Sequence, residues 1–261
     1  MTTLQGSWIW YELMTPDPDG SKAFYDAVVG WTIDAAPTGP MDYRMIVSRD
    51  GGLTGGVMRL TQDMLDHDAR PGWLGYIGVD DVDVSVTAVE AAGGKVLIAA
   101  FDVPGTGRIA MVADCCGAPF YIMTPTPPPG GGTSTSFSAL PNPGHMGWNE
   151  LYAVDQDHAL AFYTDLFGWA LPEPMDMGPM GQYQFIAHDG VTMGAIMRKP
   201  DAVTVSAWCH YIWVESTSAA IERIKAAGGT VVNGPHEVPG PLWVVQAIDP
   251  QGAMFSLTGG K

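Results

Sequence analysis

"GSWIWYELMTPD" fills residues 6–17 and "GHMGWNELYAVD" fills residues 144–155. Each stretch places a Trp, a Glu-Leu pair and a closing Asp in an otherwise apolar run, and the similarity extends downstream of both. "DPDGSKAFYDAVVGW" (17–31) matches "DQDHALAFYTDLFGW" (155–169) at an offset of 138. Further on, "AAGGKV" matches "AAGGTV", "VPGTGRIAMVAD" matches "VPGPLWVVQAID" and "DCCGAPF" (114–120) matches "DPQGAMF" (249–255), now at an offset of 135. The chain is therefore a duplication, and a repeat of this length governs the whole fold. Between the copies lies "TPTPPPGGGTSTSFSALPNPG", whose Pro, Gly, Ser and Thr cannot build a core and read as a linker. The expected domains are 1–124 and 145–261, joined by a linker over 125–144.

Each half divides again. An apolar strand-like run ends at an Asp suited to cap a helix, an apolar-periodic segment continues to a Gly stop, and short strand-like runs close the unit. In the first half the order restarts at "LGYIGVDD" and runs through "VSVTAVEAAGG", "KVLIAA", "RIAMVAD" and "PFYIMT". Strand, helix and three strands thus occur four times along the chain.

In these residues the sequence resembles the vicinal oxygen chelate superfamily of glyoxalases, bleomycin-resistance proteins and extradiol dioxygenases, closest in look to tandem proteins related to lactoylglutathione lyase. The resemblance rests on "TPDPDGSKAFYDAVVGW", "YIGVDDVDVSV", "AAGGKV", "DCCGAPFYI" and their counterparts. It implies an α+β fold of four βαβββ modules in two tandem glyoxalase-like domains, with a pair of modules forming each cup around a small ligand. Metal-dependent relatives place ligands at positions that fall here on Trp10, Leu74, Trp148 and Cys209 on first strands, and on Tyr121 and Ser256 on last strands. Trp and Leu offer a divalent ion no lone pair, so no cofactor is expected from the usual triad, with a divalent metal at an unconventional site left open. His67, His145, His158, His188 and His236 read as loop or helix-start residues without ligand spacing, and His210 as a helix-side residue.

Strand alternation assigns Trp10, Glu12, Met14, Tyr76, Tyr121, Met123, Trp148, Glu150, Tyr152, Cys209, Tyr211, Trp213, Met254 and Ser256 to the cups. Ile9, Tyr11, Leu13, Phe120, Ile122, Leu151, Phe255 and Leu257 fall on the opposite, core face. The expected ligand contacts are Trp10, Met14, Tyr76, Tyr121, Trp148, Tyr152, Cys209, Tyr211, Trp213 and Ser256. Glu12 and Glu150 sit two residues past the vacated metal position, and burial among aromatics would suit either to act as a general base. The same carboxylates could instead accept hydrogen bonds from Tyr, Trp or backbone donors and anchor a ligand. One reading is therefore a lyase or isomerase acting on a small carbonyl compound without the metal triad. The other is a non-catalytic protein that sequesters a toxic or antibiotic molecule.

Composition narrows the partners. The chain has 261 residues, 46% hydrophobic and 15% charged, with a net charge of -16 that repels phosphate backbones and anionic lipid. A small molecule is the expected partner, not nucleic acid or a membrane, and a cytoplasmic location is expected from the lack of a signal-like start. Three cysteines, two of them adjacent at Cys115 and Cys116, argue against a disulfide scaffold. In the second half Pro250 and Gln251 occupy the places of that adjacent pair.

Overall fold

The computed structural model describes residues 4–37, 39, 41–126 and 134–261. The Pro- and Gly-rich stretch 127–133, the middle of the expected linker, lies outside the described residues.

Four βαβββ modules succeed one another. The first is β1 (Trp8–Thr15), α1 (Pro18–Val28), β2 (Thr32–Ile33), β3 (Tyr43–Val47) and β4 (Leu53–Arg59), after which comes a one-turn connector, α2 (Gln62–Asp66). The second is β5 (Gly72–Gly78), α3 (Val82–Ala91), β6 (Lys95–Val103), β7 (Gly107–Ala113) and β8 (Pro119–Pro125). The third is β9 (Met146–Ala153), α4 (Gln156–Phe167), β10 (Met175–Asp176), β11 (Gln182–His188) and β12 (Val191–Arg198). The fourth is β13 (Ala207–Ser216), α5 (Thr217–Ala226), β14 (Thr230–Val238), β15 (Leu242–Ile248) and β16 (Met254–Gly260).

The repeated Asp ending each opening strand is a helix cap. Asp17, Asp81 and Asp155 accept the amides of Gly20, Val84 and His158, each at 3.0 Å, and Ser216 does the same for Ala219 at 3.2 Å. Each cap satisfies an amide that the first helical turn leaves without a backbone partner. Gly168, at φ +67°, ends α4 in the left-handed conformation that a glycine adopts without strain.

The strands form two eight-stranded sheets, each drawn from a pair of modules, in the orders β2-β3-β4-β1-β5-β8-β7-β6 and β10-β11-β12-β9-β13-β16-β15-β14. By packing, the chain divides differently, into two compact units. One comprises Met1–Ile9, Gly75–Ser134 and Asn149–Cys209, so it joins the second and third modules. The other comprises Trp10–Leu74, Thr135–Trp148 and His210–Lys261, which joins the first and fourth.

A repeated hydrogen-bond chain holds each unit. In the first-and-fourth unit the Trp73 indole donates to the Tyr25 hydroxyl at 3.1 Å, which donates to Asp249 at 3.1 Å. In the second-and-third unit Trp208 donates to Tyr163 at 2.8 Å, and Tyr163 to Asp114 at 3.1 Å. The repeated "FY" of one half therefore meets the repeated turn Asp of the other. Trp31 and Trp169 act likewise, donating to the carbonyls of Gly144 at 2.7 Å and Gly6 at 2.8 Å within their own units. Burial lifts the hydroxyl pKa values of Tyr25 and Tyr163 well above the ordinary tyrosine range, and also raises those of Asp249 and Asp114.

The residues expected on the helix-packed face are buried there: Tyr11, Leu13, Phe120, Ile122, Leu151 and Leu257 are fully enclosed. Phe255 packs edge-on against Phe24 and Tyr25, while Phe120 packs against Tyr163 and Phe167. His210 joins this layer, edge-on to Tyr11 at 5.0 Å, and burial depresses its pKa to about 3.

Candidate functional site

The opposite faces carry the carboxylates, and Glu12 and Glu150 fall in different units. In the second-and-third unit, the register β9-β12-β11 aligns Glu150 with Ala195 and Ala195 with Phe185. Tyr183, two residues before Phe185, shares its face. The Tyr183 hydroxyl donates to Glu150 Oε2 at 2.6 Å, with the Phe185 ring 5.6 Å from that of Tyr183. Glu150 is 7% exposed, so a charge-assisted bond of this length fixes a carboxylate with little access to water. Cys209 on β13 is buried in the same unit, and its thiol pKa is raised by burial and then by the charge of Glu150. The raised pKa keeps this thiol from serving as a thiolate nucleophile near neutral pH.

Elsewhere in this unit Tyr76 and Tyr121 are register partners on β5 and β8, stacked with ring centres 4.3 Å apart. Tyr152 is half-buried and Met123 buried.

The first-and-fourth unit holds Trp10, Glu12, Met14, Trp148, Tyr211, Trp213 and Ser256. Glu12 is 2% exposed and aligned with Gly56, which is aligned with Met45. The Tyr43 side chain lies over Gly56 where a Cβ would stand, so a glycine is required for the ring to reach this position. Its hydroxyl accepts the Trp10 indole proton at 2.7 Å. At the other end of this unit, Tyr211 and Gln246 are both aligned with Ser256, and Gln246 Nε2 donates to the Tyr211 hydroxyl at 3.3 Å. The Trp213 indole donates to the Ser138 carbonyl at 2.9 Å, which ties it to the connecting segment. Met14 and Trp148 are half-buried, while Met254 is largely exposed.

Four of these side chains are absent from the sequence-based set: Tyr43, Tyr183, Phe185 and Gln246. A signal existed for the first two, because "YRM" (43–45) and "YQF" (183–185) occupy equivalent strands of the two halves.

The donor set does not fit the metal triad of the fold. The triad positions carry two tryptophans, a leucine, a buried cysteine, a tyrosine and a serine. Among the described residues no group of three His, Cys, Asp or Glu side chains could hold an ion. The histidines are placed otherwise. His145 Nε2 lies 3.0 Å from Asp50 and 3.1 Å from Ser48 Oγ, while Nδ1 meets the Thr135 carbonyl, an arrangement that fastens the connecting segment. His188 and His236 lie in strands β11 and β14, not in the loops or helix starts expected from their sequence context, because Gly190 and Gly240 place the turns just beyond them.

The model of the Glyoxalase/Bleomycin resistance protein/Dioxygenase superfamily matches this chain twice, over residues 9–122 and 143–257. The chain belongs to this superfamily. Among curated relatives, it is 29% identical over 255 residues to CFP32 of Mycobacterium tuberculosis, a glyoxylase by provisional name, covering 97% of this chain and 94% of that protein. It is 30% identical over 264 residues to the anthracycline biosynthesis protein DnrV of Streptomyces peucetius, covering 97% and 92%. Among solved structures, the Mn(II)-bound glyoxalase from Novosphingobium aromaticivorans matches with a TM-score of 0.64 at 18% identity, over 98% of this chain and 82% of that one. The 2,2',3-trihydroxybiphenyl 1,2-dioxygenase of Sphingomonas wittichii matches with a TM-score of 0.66 at 12% identity, over 98% and 91%. At these identities the structural likeness establishes the fold.

Proposed function

We propose that this member of the superfamily binds a flat or amphipathic small organic molecule, with Glu150 anchoring a donor or cationic group of the ligand. The observation that carries the reading is the buried Glu150 carboxylate, held at 2.6 Å by Tyr183 beside the Phe185 ring, with no group of three metal donors among the described residues. A carboxylate has about four acceptor positions, so one that a tyrosine orients can accept from a ligand as well. Aromatic side chains supply broad apolar contact at low entropic cost, and a few fixed polar groups set orientation. Glu12, beside the Trp10–Tyr43 pair, is the corresponding anchor in the other unit. The relationship to DnrV makes an anthracycline with a protonated amino sugar a suitable first probe, since it joins a planar ring system to a cation.

The second reading is turnover: a lyase or isomerase acting on a small carbonyl compound, with Glu150 taking a proton from the carbon beside the carbonyl. It is favoured by the same bond, because a carboxylate pre-oriented by a neighbouring donor is placed for proton abstraction. The two readings separate on one substitution. In a binding protein Glu150→Gln weakens affinity and no product forms with either chain. In an enzyme the substitution lowers kcat by at least a hundredfold with little change in ligand affinity, in line with the usual contribution of a general base.

A further inference from the structure

The turn joining β7 to β8 carries Cys115 and Cys116 side by side, both partly exposed, with their sulfurs 4.0 Å apart. The turn is rigid. Asp114 Oδ1 accepts the amides of Cys116 and Ala118, both at 2.8 Å, and the backbone closes through Asp114 N to Ala118 O and Gly117 N to Asp114 O, both at 3.0 Å. The Cys116 thiol also donates to the Asp155 carbonyl at 3.3 Å. The corresponding turn of the other half is built by the same bonds: Asp249 Oδ1 accepts the amides of Gln251 and Ala253 at 2.9 and 2.8 Å. Pro250 and Gln251 stand there in place of the cysteines, so the turn does not need sulfur to form.

A disulfide requires sulfurs about 2.05 Å apart, roughly half the separation here, and two adjacent residues could reach it only by distorting the peptide between them. A soft atom bridging the two sulfurs makes no such demand, and thiols are the ligands that soft centres select. We propose that Cys115 and Cys116 form a chelating site for a trivalent arsenical bearing one organic substituent. In the reaction two As–OH bonds break and two As–S bonds form, and each thiol proton leaves with a hydroxyl group as water. Arsenic stays in the +3 state, and no oxidant or reductant takes part. The organic group and the two sulfurs then complete three-coordination. Inorganic arsenite on the same pair would keep one hydroxyl for want of a third thiol, because the remaining cysteine of the chain, Cys209, is buried in β13. Burial pushes the Cys115 thiol pKa up to about 12 and also raises that of Cys116, so the pair is protonated and slow to react with oxidants at neutral pH.

The test is titration of the full chain with phenylarsine oxide, read by intact-mass spectrometry. One phenylarsenic adduct per chain is expected, removed by 2,3-dimercaptopropanol but not by an equal concentration of a monothiol. Cys115→Ser and Cys116→Ser should each weaken uptake at least tenfold, whereas Cys209→Ser should keep it. A double variant carrying the residues of the other turn, Cys115→Pro with Cys116→Gln, should fold, as judged by its melting curve, and take up none. Arsenite should compete at least tenfold less well than phenylarsine oxide. The proposal is overturned by no adduct on the native chain, by an adduct that survives either turn substitution, by loss on Cys209→Ser, by equal removal with a monothiol, or by equal competition from arsenite.

Discussion

On the helix-packed side the two units repeat one another bond for bond: Trp73–Tyr25–Asp249 in one and Trp208–Tyr163–Asp114 in the other. On the opposite side they differ. Met14 in one unit stands where the other has Tyr152, and Ser256 where the other has Tyr121. The repeated layer is fully buried, where an unpaired hydroxyl or carboxylate is expensive and any change must be compensated. The opposite faces include half-buried side chains such as Trp10, Trp148, Tyr152 and Tyr183, where substitution is cheaper. Duplication thus preserved what builds the modules and altered the faces where we propose a ligand binds.

The largest expected effect comes from a titrating residue that breaks the symmetry of the helix-packed layer. His210 corresponds to Gly75 in the first half. Its folded pKa, about 3, lies below the unfolded value of about 6.5, so the stability it contributes is complete above pH 6.5 and is lost as pH falls toward 3. The loss should reach a few kcal/mol, because one extra proton enters the unfolded chain at roughly 1.4 kcal/mol per pH unit. Urea unfolding across this range should show the decline, and His210→Phe should flatten it. An unchanged slope in the variant would show that other groups govern acid unfolding.

Next come the paired networks. Tyr25→Phe and Tyr163→Phe each remove one donor from a buried Asp and one acceptor from a buried indole, at a cost of about 2 kcal/mol. For a chain of this length the melting temperature should fall by roughly 4–8 °C. The two losses should be nearly equal, and a double-mutant cycle of Tyr25→Phe with Asp249→Asn should show coupling, since these residues touch. Unequal losses would mean that the two buried layers are not equivalent in energy.

The smallest stability effect is expected on the diverged face. Tyr183→Phe should cost about 1 kcal/mol, the low end for a buried acceptor that loses one partner, since Tyr183 itself is only half-buried. A larger drop in calorimetry would make the Tyr183–Glu150 bond part of the framework and not of the site.

Much of this organisation was legible in the sequence for physical reasons. A capping Asp, or Ser216 in the fourth module, before an apolar helix and a Gly after it fix where the helix of each module starts and ends. Strict alternation in "WIWYEL" and "WNELYA" separates Tyr11 and Leu151 from Glu12 and Glu150. What the sequence did not carry was partnership across distance. A repeated Tyr and a repeated Asp satisfy one another equally well within a half or between halves, so the Tyr25–Asp249 and Tyr163–Asp114 pairs emerge only from packing. Tyr183 escaped notice for a related reason. A Tyr near the start of a strand is ordinary β-sheet composition even when Tyr43 repeats it, and its reach to Glu150 depends on the order β9-β12-β11, in which β12 stands between strands that are not consecutive in the chain.

Anchoring of a planar cationic ligand by the diverged face around Glu150 can be read by fluorescence titration of an amino-sugar anthracycline into the native chain and Glu150→Gln. Saturable binding is expected for the native chain, with roughly tenfold or greater weakening in the variant, the effect of losing a charge-assisted contact, and a melting temperature little changed. Equal affinity in the two proteins, or no binding by the native chain to this probe or to other planar aromatic cations, would contradict such an anchor.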